Sequence, residues 1–121
     1  MTARTIHVVD DDPVVRETLV WMLEAVGFAA QAHRDAESVP VETGSCVILD
    51  EDLGVKGSGL DRVDPVTGRL AHHPVVLLTG RAGDSRTRKR AELVGVRHLL
   101  GKPVEIARLI SAVEAAMNEA R

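Results

Sequence analysis

Cys46-Val47-Ile48-Leu49-Asp50-Glu51-Asp52 is an apolar run of strand type that stops abruptly on carboxylates. Four apolar residues in succession suit a strand buried on both faces, as in a parallel sheet, and the residue after them emerges at the sheet's carboxyl edge. Open α/β sheets bind their ligands at that edge. Taken alone, an aspartate in this place is better explained by a turn that it opens. What gives Asp50 weight is the set of polar residues arriving from the other strand ends.

Upstream, Thr5 to Val9 reads as a first strand that ends on Asp10-Asp11-Asp12 and Pro13. Proline suits the first turn of a helix, and an aspartate before it can cap the free amides, so a helix should begin near Pro13. Val15, Leu19, Met22 and Val26 recur on its inner face, and Gly27 stops it. Phe28 to Ala32 reads as a second strand, and Asp35 to Val39 starts a second helix that Pro40 limits to one or two turns. Downstream of the central strand, Leu53 to Gly59 is a glycine-rich loop without the ending of a nucleotide-binding P-loop. Leu60, Val63, Val66 and Leu70 have rough helical spacing, but Pro65 and Gly68 interrupt it, so a third helix is broken or abbreviated. The sheet face under these clipped helices should then expose apolar surface or meet a partner.

Val75-Val76-Leu77-Leu78 is another buried-strand run and ends on Thr79-Gly80. Asp84 or Ser85 can cap a fourth helix to about Val94, whose outer residues Arg86, Arg88, Lys89 and Arg90 are basic. Arg97 to Leu100 is a fifth strand, which runs into Gly101-Lys102-Pro103. From Glu105 onward, Ile106, Leu109, Ile110, Val113 and Met117 mark an amphipathic last helix.

The 121 residues bound this to a single domain over 1–121. A formal charge of −3, with no long apolar span and no signal-like segment, is ordinary for a cytoplasmic protein with no membrane role. The single cysteine, Cys46, is expected to be a buried packing thiol, and the five histidines lack a metal-site cysteine pattern. One Trp, one Phe and no Tyr offer no stacking platform, which argues against direct nucleic-acid binding.

Strand alternating with helix implies right-handed crossovers and a doubly wound, flavodoxin-like α/β fold, with five parallel strands in the order 2-1-3-4-5 and helices on both faces. In that order Asp10 and Asp11 lie beside Asp50, while Thr79 and Lys102 arrive from the other side. Crowded carboxylates repel one another unless a cation joins them, and magnesium suits oxygen ligands and a phosphate oxygen. Asp50 can act as an oxygen nucleophile, with magnesium and Lys102 neutralising a phosphoryl group and Thr79 hydrogen-bonding it. The product would be an aspartyl phosphate.

These marks, Val8-Val9-Asp10-Asp11-Asp12, Val47-Ile48-Leu49-Asp50, Val75-Val76-Leu77-Leu78-Thr79-Gly80 and Lys102-Pro103, resemble the receiver domain of two-component response regulators over the whole chain. The resemblance implies that Asp50 accepts phosphate from the phosphohistidine of a sensor histidine kinase or phosphotransfer protein. It implies a magnesium ion held by Asp10, Asp11, Asp50 and the backbone carbonyl of Asp52, with Thr79 and Lys102 contacting the phosphoryl group and Gly80 leaving it accessible. It also implies a signalling domain rather than an enzyme, with only slow autodephosphorylation, that acts on a downstream protein target or an output domain. A homodimer is left open.

Three positions depart from the family pattern. Gly54 stands where a proline is usual, Gly59 falls one residue late, and Leu99 replaces the aromatic switch residue. Asp52 and Arg81, two beyond the acceptor and two beyond the threonine, are expected to pair across the pocket mouth. Leu99 is expected to stay buried in one rotamer, leaving the readout to the loop after Thr79 and the basic fourth helix. Two rivals remain: a receiver-like docking module that is never phosphorylated, and a haloacid-dehalogenase-like phosphatase using Asp50 and Asp52. The second requires its D-x-D on the first strand and a cap domain, and this chain has the motif on the third.

Overall fold

The structure is a computed structural model that describes residues 5–40, 45–54, 57–64, 68–71 and 73–119. Strands β1 (Thr5–Val9), β2 (Ala29–His33), β3 (Val47–Asp50), β4 (Val75–Thr79) and β5 (His98–Gly101) form one sheet in the order β2-β1-β3-β4-β5. Every neighbouring pair is parallel. The expected strand order and parallel direction are therefore present. The last four strands each end one residue later than the sequence pattern suggests, so Asp50 closes β3 from within and Thr79 closes β4.

Among the described residues three α-helices connect and cover the strands: α1 (Pro13–Ala25), α2 (Ser85–Leu93) and α3 (Ile106–Glu119). Asp12 caps α1 by accepting the Val14 amide at 2.9 Å, with Pro13 in the first turn. Asp84 does the same for α2 through the Arg86 amide at 3.1 Å. Both caps satisfy amides that a helix start leaves without partners. Helices α1 and α3 pack on one face, where Leu19, Leu23, Leu109, Val113 and Ala116 meet Ile6, Val8, Ile48, Val76 and Leu78. Along α1 the inward stripe shifts from the expectation. Leu23 is buried, whereas Val26 is the C-cap, already outside helical geometry, and is exposed.

The opposite face carries the clipped elements. The second helix is a single 3-10 turn, Ala36–Ser38, capped by Asp35 and closed at Val39 before Pro40. The third is a 3-10 turn, Gly59–Arg62. Pro65 and Val66 lie outside the described residues. The expected exposed apolar surface is not found on the described part of this face, because irregular chain covers it. Leu53, Leu60, Val63 and Leu70 are buried against Val9, Val47, Leu49 and Leu77, with Ala91 of α2 completing the layer. Arg69 fastens this layer by donating to the carbonyls of Ala36 at 3.1 Å and Val39 at 2.8 Å. Side chains seal a sheet whether or not their backbone is helical; what they lose is periodicity, not burial.

Candidate functional site: the carboxyl edge of the sheet

The carboxyl ends of β1, β3, β4 and β5 bring Asp10, Asp50, Thr79 and Lys102 to one edge. The Lys102 ammonium lies between two carboxylates, 2.9 Å from Asp50 Oδ2 and 3.4 Å from Asp10 Oδ2. Asp10 is 1% exposed and Asp50 6%, so both charges have little water to solvate them. Backbone amides take the other oxygens: Asp12 N–H donates to Asp10 Oδ1 at 2.8 Å and Asp52 N–H to Asp50 Oδ1 at 3.1 Å. Lys102 is itself placed by its amide, which donates to the Thr79 carbonyl at 2.9 Å. The Lys102–Pro103 peptide bond is cis.

Burial pushes the Asp50 carboxyl above the usual carboxylate range, and the nearby charge of Asp10 adds to it; the Lys102 and Asp52 hydrogen bonds pull the other way without cancelling it. Burial acts to lower the Lys102 pKa, but the hydrogen bond to Asp50 and the charges of Asp10 and Asp50 outweigh it and hold the ammonium above its ordinary value. The edge is thus an acidic pocket in which one ammonium offsets two carboxylates.

Asp11 is exposed, and its carboxylate reaches toward the loop after β3. A Cβ on Gly54 would lie 2.7 Å from Asp11 Oδ2, and Gly54 has φ +62°, a left-handed value that favours glycine. The glycine standing at the family's proline position thus leaves room for Asp11. Among the described residues no three His, Cys, Asp or Glu side chains are close enough to hold a metal between them. The donor set nevertheless suits magnesium in kind. It is all oxygen, and magnesium keeps several waters and needs only one or two protein carboxylates.

Thr79 is 1% exposed, and its hydroxyl is engaged on both sides. It donates to Glu51 Oε1 at 3.2 Å and accepts the Arg81 amide at 2.9 Å. Gly80 has nothing within 4 Å of where a Cβ would stand, so the approach beside Thr79 is open. The expected Asp52–Arg81 pair is not formed. Arg81 Nε lies 3.9 Å from Glu51 Oε1, whereas Asp52 Oδ1 accepts the Gly54 amide at 2.9 Å. With Asp50 inside the strand, Glu51 is the carboxylate placed to meet the end of β4. Sequence reasoning missed Glu51, although its place between the acceptor and Asp52 could have flagged it.

Leu99 is half-buried rather than enclosed. It packs against the second-face core and lines a groove with Ala82, Arg88, Ala91 and Val96. Cys46 is fully buried, and burial pushes its thiol up to about 12, as expected of a packing residue.

This fold and this edge define a receiver domain. Residues 6–114 match the response regulator receiver domain family, and the chain belongs to it. Among individual proteins it is similar to the transcriptional regulatory protein FixJ of Azorhizobium caulinodans, 35% identical over 119 residues, covering 93% of this chain and 54% of that protein. FixJ of Bradyrhizobium diazoefficiens is 30% identical, covering 95% of this chain and 57% of the relative. The chain therefore spans about half the length of these curated relatives. The crystal structure of FixJ-N superposes with a TM-score of 0.82 at 28% identity, covering 98% of this chain and 96% of that one. A response regulator from Burkholderia pseudomallei, solved with a phosphorylated aspartic acid, a calcium ion and citrate, has a TM-score of 0.77 at 25% identity, covering 96% and 69%. No helix among the described residues is long and apolar enough to cross a membrane.

Proposed function

We propose that the chain is a phosphoacceptor switch in which Asp50 takes a phosphoryl group from the phosphohistidine of a sensor kinase or phosphotransfer protein. The observation that carries this reading is the Lys102 ammonium set 2.9 Å from Asp50 and 3.4 Å from Asp10 on a buried sheet edge. An Asp50 oxygen attacks phosphorus in line, the P–N bond to the donor imidazole breaks, and the imidazole leaves with the electron pair. Lys102 turns from the carboxylate pair toward the added phosphoryl oxygens. The Thr79 hydroxyl donates to one of those oxygens, and open space at Gly80 admits the donor.

Asp10, Asp11, Asp50 and the Asp52 carbonyl would hold a magnesium ion. When bound it neutralises phosphoryl charge. The similar Burkholderia protein, solved with a phosphorylated aspartic acid and a calcium ion, supports a divalent cation here. We further propose that one domain spans 1–121, that the chain is cytoplasmic, and that its state passes to a protein target or an output domain. Relatives about twice its length are named transcriptional regulators, which supports the second of these routes.

Transfer from a phosphotransfer protein charged with radiolabelled phosphate tests the reading. Label should move to this chain with magnesium present and stay on the donor when EDTA removes it. No transfer under either condition would leave only the docking-module reading.

A further inference from the structure

We infer that Glu51 is a positioning residue that holds the Thr79 hydroxyl in the unphosphorylated protein, so that phosphorylation must win this hydroxyl from a buried carboxylate. The inference rests on the phosphoacceptor reading and adds a residue to it. Glu51 is fixed at both backbone groups: its amide donates to the Leu78 carbonyl at 2.8 Å, and its carbonyl accepts the Gly59 amide at 2.7 Å. Its side chain is 11% exposed and directed across the end of β4. Oε1 accepts the Thr79 hydroxyl at 3.2 Å, Oε2 lies 3.5 Å from Ser58 Oγ, and Arg81 Nε stands 3.9 Å away.

A threonine hydroxyl has one proton. While that proton goes to Glu51, none is left for a phosphoryl oxygen on Asp50. The Arg81 amide fills an acceptor position on the same oxygen, so the hydroxyl is held from both sides. Releasing it leaves a poorly solvated carboxylate with only a long contact to Ser58 and a mostly exposed arginine. Glu51 thus favours the unphosphorylated arrangement and sets how much phosphoryl binding is needed to overturn it.

The test titrates beryllofluoride with magnesium, as a phosphoryl stand-in at Asp50, into the full chain while amide signals of Thr79 to Asp84 are followed. Four proteins are compared: wild type, Glu51→Gln, Thr79→Ala and the double variant. Glutamine keeps the shape and removes the charge, so Glu51→Gln should saturate at about a tenfold lower concentration. In the Thr79→Ala background the same change should have little effect, because no hydroxyl remains to release. An equal gain in both backgrounds would mean that Glu51 merely repels the anion, and an unchanged or weakened midpoint would mean that it does not compete; either overturns the inference. The wild type offers a second readout that needs no variant. Its Thr79 hydroxyl proton, sheltered by Glu51, should be visible before beryllofluoride and move on its addition, and a wild type that binds while that proton stays unmoved overturns the inference alone. A wild type that binds no beryllofluoride overturns the phosphoacceptor reading beneath it.

Discussion

At the scale of single residues, the acidic edge trades stability for chemistry. Asp50 has a folded-state pKa above its unfolded value, so its contribution is favourable only in acid and is lost as pH rises through the folded value. At neutral pH the ionised carboxylate is therefore a cost to the fold. Asp50→Asn should raise the urea midpoint at pH ~7 while abolishing phosphorylation, and an equilibrium denaturation series on both proteins checks the sign. His33 behaves oppositely. His7 Nδ1 and His33 Nε2 lie 2.8 Å apart between β1 and β2, and burial depresses the His33 pKa, with Asp35 opposing. The unfolded chain then binds the proton first as pH falls. The His33 contribution is complete above its unfolded pKa of about 6.5 and lost as pH drops through the lower folded value. The urea midpoint should fall between pH ~7.5 and ~5.5, and His33→Gln should flatten that part of the curve. Residues at strand ends were legible in the sequence because buried runs announce where they stop. Glu51 and the histidine pair were not, since each acts through a partner 26 or more positions away, brought close only by strand register.

At the scale of elements, regular pieces were read well and irregular ones only by their interruptions. Asp12, Pro13 and Asp84 mark helix starts by local chemistry, and α3 by an apolar stripe, so nothing distant is needed to read them. Pro40 rightly shortened the second helix. What no periodicity could tell is that Leu53, Leu60, Val63 and Leu70 would still seal the sheet, because chain without a repeat has no predictable inner face. If that cover is true core, Leu70→Ala should cost about 2–5 kcal/mol and Leu109→Ala on the helical face should cost as much, by paired urea melts. The turn after β3 admits a sharper test. A Cβ on Gly59 would lie 2.3 Å from the Asp50 carbonyl oxygen, so Gly59→Ala should cost about 1–3 kcal/mol and slow phosphorylation by shifting the acceptor strand.

At the scale of the whole molecule, the sheet edge must communicate with a surface. Thr79 leads directly into the 81–84 loop and α2, whose outer residues Arg86, Arg88, Lys89 and Arg90 are exposed. Arg90 pairs with Asp61, which ties α2 to the 3-10 turn after the acceptor loop. Leu99 has no ring to swing, and it is already packed against the second-face core. Phosphorylation should therefore shift amide signals across 81–94 more than at Leu99, a pattern that an isotope-labelled spectrum reads directly; the largest changes around Leu99 with a silent α2 would reverse this order. This readout depends on Asp50 being the acceptor. The most direct measurement is intact mass after incubation with acetyl phosphate and magnesium, followed by peptide mapping of the modified site. One added phosphoryl group on Asp50, absent in Asp50→Asn and absent with EDTA, is the predicted result. An unmodified mass, or a phosphoryl group mapped to Asp52, would contradict it.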